Sequence, residues 1–416
     1  MQSSTSRDVQ VLRDLAERYA EIAHKDVQEE RRRLWTQLNG LQRTRPTVLA
    51  SFGMHNVWCR EVFGDARMAC EDPFYRAHER HLRMAIFQDD VGDDCILEPW
   101  ITQRAAVAGQ LGQVWGMAQS HSPVTAEGGS WQFDPPVKDW SDVARLRPTP
   151  HYIDEAATAR DVARLEEAVG DILPVNVERG PIHQDFLADI STDLTGLRGL
   201  EQVMRDVYES PRQLHALLAF MRDGILAAQD AAEAAGDFSL TSQSNQAMTY
   251  CRELESPRAN SGPRLRKDLW CHCSAQEFTL ISPAMHDEFM LQYQLPIISR
   301  FGMVSYGCCE DLTRKIVMLR QVPNLRIIAV PPRADVARCA EQIGTDYVIS
   351  WRPSPADMVC CQFDEDLIRR TVRNAMEACK GCCVTIHLKD VETVQGEPDR
   401  LGRWVQVVRS ITDDYA

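Results

Sequence analysis

Apolar residues at Val9, Val11, Leu12, Leu15, Tyr19, Ile22 and Ala23 recur at helical spacing and predict a helix over residues 8–42, stopped by Thr44-Arg-Pro46. Within it, Gln28-Glu-Glu-Arg-Arg-Arg33 reads as a solvated face of mixed charge. Beyond this arm, short apolar runs alternate with helical stretches. Strands are predicted at 48–52, 95–98, 173–178, 238–241, 269–270, 302–306, 325–330, 346–350 and 383–388. Helices are predicted at 153–169, 184–208, 210–236, 283–300, 311–321, 334–343 and 364–379. Such alternation implies an α/β chain with a parallel sheet and helical crossovers. The tight spacing over 302–390 favours a (β/α)8 TIM barrel at 46–416, with residues 1–45 as an N-terminal helical extension. Nine strand candidates compete for its eight places. Residues 108–150 are rich in Gly, Pro and Trp, as in Glu127-Gly-Gly-Ser-Trp131, and read as a connecting segment, with a lid as the alternative.

Length and composition narrow the classes. The chain has 416 residues, and a simple barrel uses roughly 250, so an appendage and long insertions fit. With 44% apolar and 25% charged residues the composition is that of a soluble globular protein. A formal charge of −14 argues against broad binding to nucleic acid or anionic membrane. No apolar run approaches the roughly 20 residues that span a bilayer, and Met1-Gln-Ser-Ser-Thr-Ser-Arg-Asp8 lacks a signal-peptide core. A cytoplasmic location is the default expectation. No Gly-rich dinucleotide turn or phosphate loop is present. Fourteen cysteines in a long chain without an export signal are expected to be reduced, most of them as small buried hydrophobes. They include the adjacent pairs Cys308-Cys309, Cys360-Cys361 and Cys382-Cys383.

Three runs end in reactive groups: Leu269-Trp-Cys-His-Cys-Ser-Ala-Gln-Glu277, Val304-Ser-Tyr-Gly-Cys-Cys-Glu310 and Val384-Thr-Ile-His-Leu-Lys-Asp390. Barrels carry their chemistry at the C-terminal ends of strands. That rule puts Cys308, Cys309, His272, Cys273, Glu277 and His387 at one rim, and Cys382 and Cys383 at the other. A thiolate, an imidazole and a carboxylate can make a three-ligand zinc site with an open position; Cys308 and His387, with either His272 or Cys309, are the expected metal set. The competing reading is that Cys308 packs and His387 bonds to a neighbour. Candidate catalytic groups are Glu277, Glu310 and Cys309. Candidate substrate contacts are Glu98, Arg179, His183, Gln276, Tyr306 and Arg352, the arginines because a planar fork suits carboxylates. Asp93 and Asp94 precede a strand and read as a cap or turn.

Phe301-Gly-Met-Val-Ser-Tyr-Gly-Cys-Cys-Glu310 resembles the strand and Cys-bearing turn of the uroporphyrinogen decarboxylase superfamily. Ile328-Ala-Val-Pro-Pro-Arg-Ala-Asp-Val-Ala-Arg-Cys-Ala-Glu-Gln-Ile-Gly344 is similar to its strand-Asp-helix unit, and Ile349-Ser-Trp-Arg-Pro-Ser-Pro355 stands at its Gly-Asn-x-x-Pro turn. The resemblance spans about 170–410. It implies a (β/α)8 barrel and two activities: porphyrinogen decarboxylation, or zinc-dependent methyl transfer between corrinoid proteins and thiols. The methyltransferases have a His-x-Cys turn and a later Cys. Here Tyr306-Gly-Cys308 matches the Cys and not the His, and His387 or Asp390 stands near the later position. The decarboxylase's Arg-Gln-Ala-Gly-Arg segment is absent; Phe52-Gly-Met-His-Asn-Val-Trp58 does not replace it.

The expected function is therefore metal-dependent methyl transfer on a small anionic or thiol substrate. Zinc and a corrinoid brought by a partner protein are the implied cofactors, and a homodimer through the arm is the implied assembly. The alternatives are a metal-free decarboxylase or lyase of a small or cyclic acid, in which Arg179 and Arg352 hold carboxylates and Glu277 manages the proton, and a non-catalytic corrinoid- or tetrapyrrole-binding protein.

Overall fold

The structure is a computed structural model; it describes residues 2–52, 61–107, 113–118, 120–121, 133–181, 189–245, 247–361 and 363–415. Eight parallel strands carry it. They are β1 (Thr47–Phe52), β2 (Ile101–Arg104), β3 (Val175–Glu178), β4 (Trp270–Cys273), β5 (Met303–Tyr306), β6 (Leu325–Val330), β7 (Val348–Trp351) and β8 (Cys383–Val391). Six of them form one curled sheet in the order β1-β8-β7-β6-β5-β4, and β2 pairs with β3 separately. Among the described residues the sheet does not close into a ring.

Side-chain parity gives this sheet two different faces. Val48, Ala50, Cys271, Cys273, Val304, Tyr306, Ile328, Val330, Ile349, Trp351, Val384, Ile386 and Leu388 share one apolar cluster with the helices Glu365–Ala378 and Arg400–Thr412. The opposite parity lines the inner face. Its lower part is apolar: Leu49, Ile327, Val348 and Cys383 pack with Trp35 and Leu38 of the helix Asp26–Asn39. That helix closes the lower end of the inner face. Its predecessor, Gln2–Ala23, packs instead on the helices Pro73–Val91 and Glu155–Val169. The expected single helix over 8–42 is thus two helices broken at His24 and Lys25, serving two different clusters.

Two predicted strands are not strands. At 95–98 the amides are taken by side chains: Cys95 N–H donates to Asp93 Oδ1 at 3.0 Å and Leu97 N–H to Gln28 Oε1 at 3.0 Å. At 238–241 the Leu240 amide donates to Ser261 Oγ at 3.2 Å, and Phe238 C=O accepts from Arg264 N–H. Apolar content without a neighbouring backbone does not make a ladder. The strand that fills the place of 95–98 is β2, a few residues on.

Asp94 caps no helix; it ties a strand to two arginines. Its carboxylate takes both ends of Arg45 at 2.8 Å, Arg409 at 2.9 Å and the Val48 amide at 2.8 Å, while its own amide donates to Val48 C=O. It joins β1 to the helix Arg400–Thr412 near the chain end.

Of the segment 108–150, the parts within the described residues form two short antiparallel pairs and a 3-10 turn at Trp140–Arg145. Trp115 there is buried and donates to Asp193 Oδ2 at 2.8 Å; the lid expectation for the remainder falls outside the described residues. Among the described residues no helix is long and apolar enough to cross a membrane, and every described cysteine is free.

Candidate functional site

Parallel strands flanked by helices are usually apolar on both faces. The upper inner face here is not. His272 of β4, Ser305 of β5, Ser350 and Arg352 at the end of β7, and Thr385, His387 and Lys389 of β8 all lie on it, by parity and by register. Ser305, Ser350 and Thr385 are fully buried, and His272, Arg352 and His387 are at least nine-tenths buried. The departure from apolar parity marks the site.

Cys308 enters it through a turn that needs glycine. Gly307 has φ +96, and a Cβ there would meet Leu312 Cδ1 at 2.6 Å. The Cys308 amide then donates to Glu310 Oε2 at 2.7 Å, and the Ala275 amide to Glu310 Oε1 at 2.8 Å. Glu310 therefore clamps the turn after β5 to the turn after β4. Burial pushes its carboxyl up to about 7, against those backbone donors. Both oxygens of this expected catalytic carboxyl accept from backbone amides, which positions the two turns. Glu310→Gln leaves one buried amide without an acceptor and is expected to lower stability by about 1–3 kcal/mol, read by urea unfolding; an unchanged midpoint contradicts the clamp.

Around the Cys308 sulfur stand Lys389 Nζ at 3.5 Å, Arg352 Nη1 at 3.6 Å, Cys309 Sγ at 3.7 Å and Asn245 Nδ2 at 3.8 Å. The Cys309 thiol hydrogen bond lowers the Cys308 pKa, burial opposes, and the Lys389 and Arg352 charges lower it further; the net shift is downward. These neighbours favour the ionised form of Cys308, and the exposed Cys309, raised in pKa by the same hydrogen bond, is the member of the pair that keeps its proton more readily. The Cys309 sulfur lies 4.0 Å from Asp390 Oδ2.

Asn245 links the thiolate to an imidazole. Lys389 donates to Asn245 Oδ1, which fixes the amide orientation, so Asn245 Nδ2 faces His272 Nε2 at 2.9 Å. The Nε2 accepts, and Nδ1–H faces Ser305 Oγ at 3.2 Å. Burial, then the charges of Lys389 and Arg352, keep both His272 and His387 well below the ordinary imidazole range and neutral. His387 Nε2 bonds to Ser51 Oγ at 2.6 Å, and its Nδ1 has no partner.

His272, Cys308 and Arg352 thus come together as expected, and His387 feels the same two cations. Lys389 and Asn245 join them without having been singled out. The expected zinc set does not fit this arrangement. Among the described residues no three His, Cys, Asp or Glu side chains gather closely enough to hold a metal ion. Two cationic side chains already flank Cys308 and would repel a divalent ion.

Other candidates are committed elsewhere. The Tyr306 hydroxyl donates to Gln294 Oε1 at 2.8 Å and lies 2.9 Å from His286 Nε2, on the helix-facing side of the sheet. Glu98 accepts from Tyr250 at 2.5 Å and Arg32 at 3.0 Å. Arg179 pairs with Asp237 at 2.7 Å and with Glu155, the salt-bridge alternative to substrate binding. Glu277 accepts from Ser191 at 2.6 Å and Thr192 at 3.2 Å, at the start of the helix Ile190–Arg198. Gln276 opens the 3-10 turn Gln276–Phe278, half-buried. His183 lies outside the described residues.

No family model and no curated protein matches the chain. Among solved structures it is similar to a methyltransferase from Methanosarcina mazei, at 13% identity over 92% of this chain and 98% of that one, with a TM-score of 0.49.

Proposed function

We propose that the chain is a uroporphyrinogen decarboxylase-like (β/α)8 barrel enzyme that transfers a methyl group at the Cys308 thiolate, with a small anionic substrate drawn in by Arg352 and Lys389. The barrel is supported by strand order. The six-stranded sheet runs β4 to β8 and then β1, as a closed ring requires, and β2-β3 is the pair that would fill the remaining arc. The observation that carries the chemistry is the set of three nitrogens, from Lys389, Arg352 and Asn245, around one buried sulfur.

A thiolate is a soft nucleophile suited to attack on saturated carbon. The sulfur–carbon bond forms, the bond from the methyl carbon to the donor breaks, and its electron pair leaves with the donor; a small thiolate held by Arg352 and Lys389 then attacks that carbon, the Cys308 sulfur–carbon bond breaks, and its electron pair restores the Cys308 thiolate. Cys308 has lost its proton beforehand, so none moves in the first step. Lys389 and Arg352 hold the sulfur ionised, and Asn245 orients it. The methyl donor is a corrinoid carried by a partner protein.

The test is incubation with methylcobalamin and, separately, with a methylsulfonium donor, with and without a small thiol such as mercaptoacetate. Peptide mass spectrometry is expected to find one methyl group on Cys308 and none on Cys309. No methylated Cys308 with either donor, together with no S-methylated mercaptoacetate, ends the reading. A second reading, decarboxylation of a small acid, is favoured by one observation: Arg352 keeps Nε and Nη2 buried and unspent. Release of labelled carbon dioxide from a candidate acid, with Cys308 unmethylated, would select it.

A further inference from the structure

The polar atoms of the upper inner face are unequally spent. Arg352 uses Nη1 on the Cys308 carbonyl at 2.7 Å and on the Cys308 sulfur. Its Nε and Nη2 have no partner, and the residue is 3% exposed. In a guanidinium these two N–H groups lie side by side on one edge and point the same way, the geometry that grips two oxygens of one carboxylate. The edge is held in place because the Arg352 amide donates to Val330 C=O at 2.9 Å and Nη1 is fixed on Cys308.

Beneath this edge runs a row of hydroxyls. Ser350 precedes Arg352 on the same face, Ser350 is in register with Thr385, and Thr385 with Thr47. All three side chains are fully buried, and none of their oxygens has a hydrogen-bond partner. His387, next above Thr385 on β8, adds an unpartnered Nδ1. Buried polar groups in folded proteins are almost always paired. Here several unpaired ones converge on one face, across three adjacent strands, beside the reactive sulfur.

We infer that the inner face beside Cys308 binds a small hydroxy-carboxylic acid: its carboxylate sits on the Nε–Nη2 edge of Arg352, and its hydroxyl end reaches toward Ser350 and Thr385. A carboxylate matches the planar fork, and with Lys389 held between the Cys308 sulfur and Asn245, Arg352 supplies the one charge that faces it. A phosphate would set a further oxygen and a second negative charge against neutral hydroxyls and an imidazole. The inference deepens the proposed function by naming the substrate class. It rests on reading this face as the substrate pocket, but its test is binding without turnover, so either can fail alone.

Calorimetric titration of the whole protein with glycolate, lactate and mandelate, with the neutral amide of each, and with inorganic phosphate provides the test. At least one acid is expected to bind, with its amide and phosphate weaker by about tenfold or more. Arg352→Lys keeps the charge and loses the fork, and is expected to weaken that acid by on the order of tenfold. Thr385→Val keeps the shape and removes one hydroxyl, and is expected to weaken it severalfold. Failure of all three acids to bind overturns the inference, as does equal binding of acid and amide or tighter binding of phosphate. Wild-type affinity in a folded Arg352→Lys protein overturns it as well. Should that variant not fold, Thr385→Val decides: undiminished affinity there removes the proposed pose.

Discussion

Cys308→Ser lowers turnover by on the order of a thousandfold or more, because a serine hydroxyl stays protonated where the thiol is ionised. The pH dependence separates this from simple loss of packing. The Cys308 pKa is held below the ordinary thiol value, so its thiolate persists below that value and is lost only as pH falls through the lowered one. At pH 6, iodomethane is expected to modify Cys308 and to spare Cys309, although Cys309 is the exposed thiol of the pair. Peptide mass spectrometry across pH reads both sites. Lys389→Met removes the ammonium 3.5 Å away and moves the half-point upward. A Cys308 half-point near the ordinary thiol value of about 8.5 contradicts the charge-compensated site.

Asp94→Ala is expected to cost about 3 kcal/mol, since it leaves the part-exposed Arg45 and Arg409 guanidinium groups unpaired and the buried Val48 amide without that acceptor. The carboxylate is 1% exposed and holds Arg45, Arg409 and the Val48 amide at once. Burial would raise its pKa; the Arg45 hydrogen bond and the charges of Arg45 and Arg409 outweigh that and hold it below the ordinary range. A depressed folded pKa gives stability that is complete above the unfolded value of about 3.9 and is lost as pH falls through the folded one. The variant is therefore less stable at neutral pH and has a flatter acid limb. Urea unfolding at pH 7 and pH 3 checks both. A loss under about 1 kcal/mol at pH 7 would place Asp94 among ordinary surface pairs.

What could be read from the residues follows from period and parity. β5 to β8 are close to their expected limits because each is a short apolar run bounded by turn residues. The strand-end rule found His272, Cys308, Arg352 and His387. Parity, applied consistently, would have gone further. Lys389 is two residues past His387 and shares its face, whereas Tyr306 shares the parity of Val304 and belongs to the helix-facing core. Asn245 could not be found this way. It lies on an aperiodic stretch, and only the tertiary fold brings it between His272 and Cys308. Glu98 and Arg179 looked like site residues because both follow apolar runs, yet each had a partner far along the chain, Tyr250 and Asp237.

The helix carrying Trp35 and Leu38 has a kinetic meaning. With its rings and methyls filling the base of the inner face, the chamber is blind at that end. Under the proposed function, substrate and product would pass on the thiolate side of the inner face, away from Trp35 and Leu38, so product has to leave before the next molecule descends.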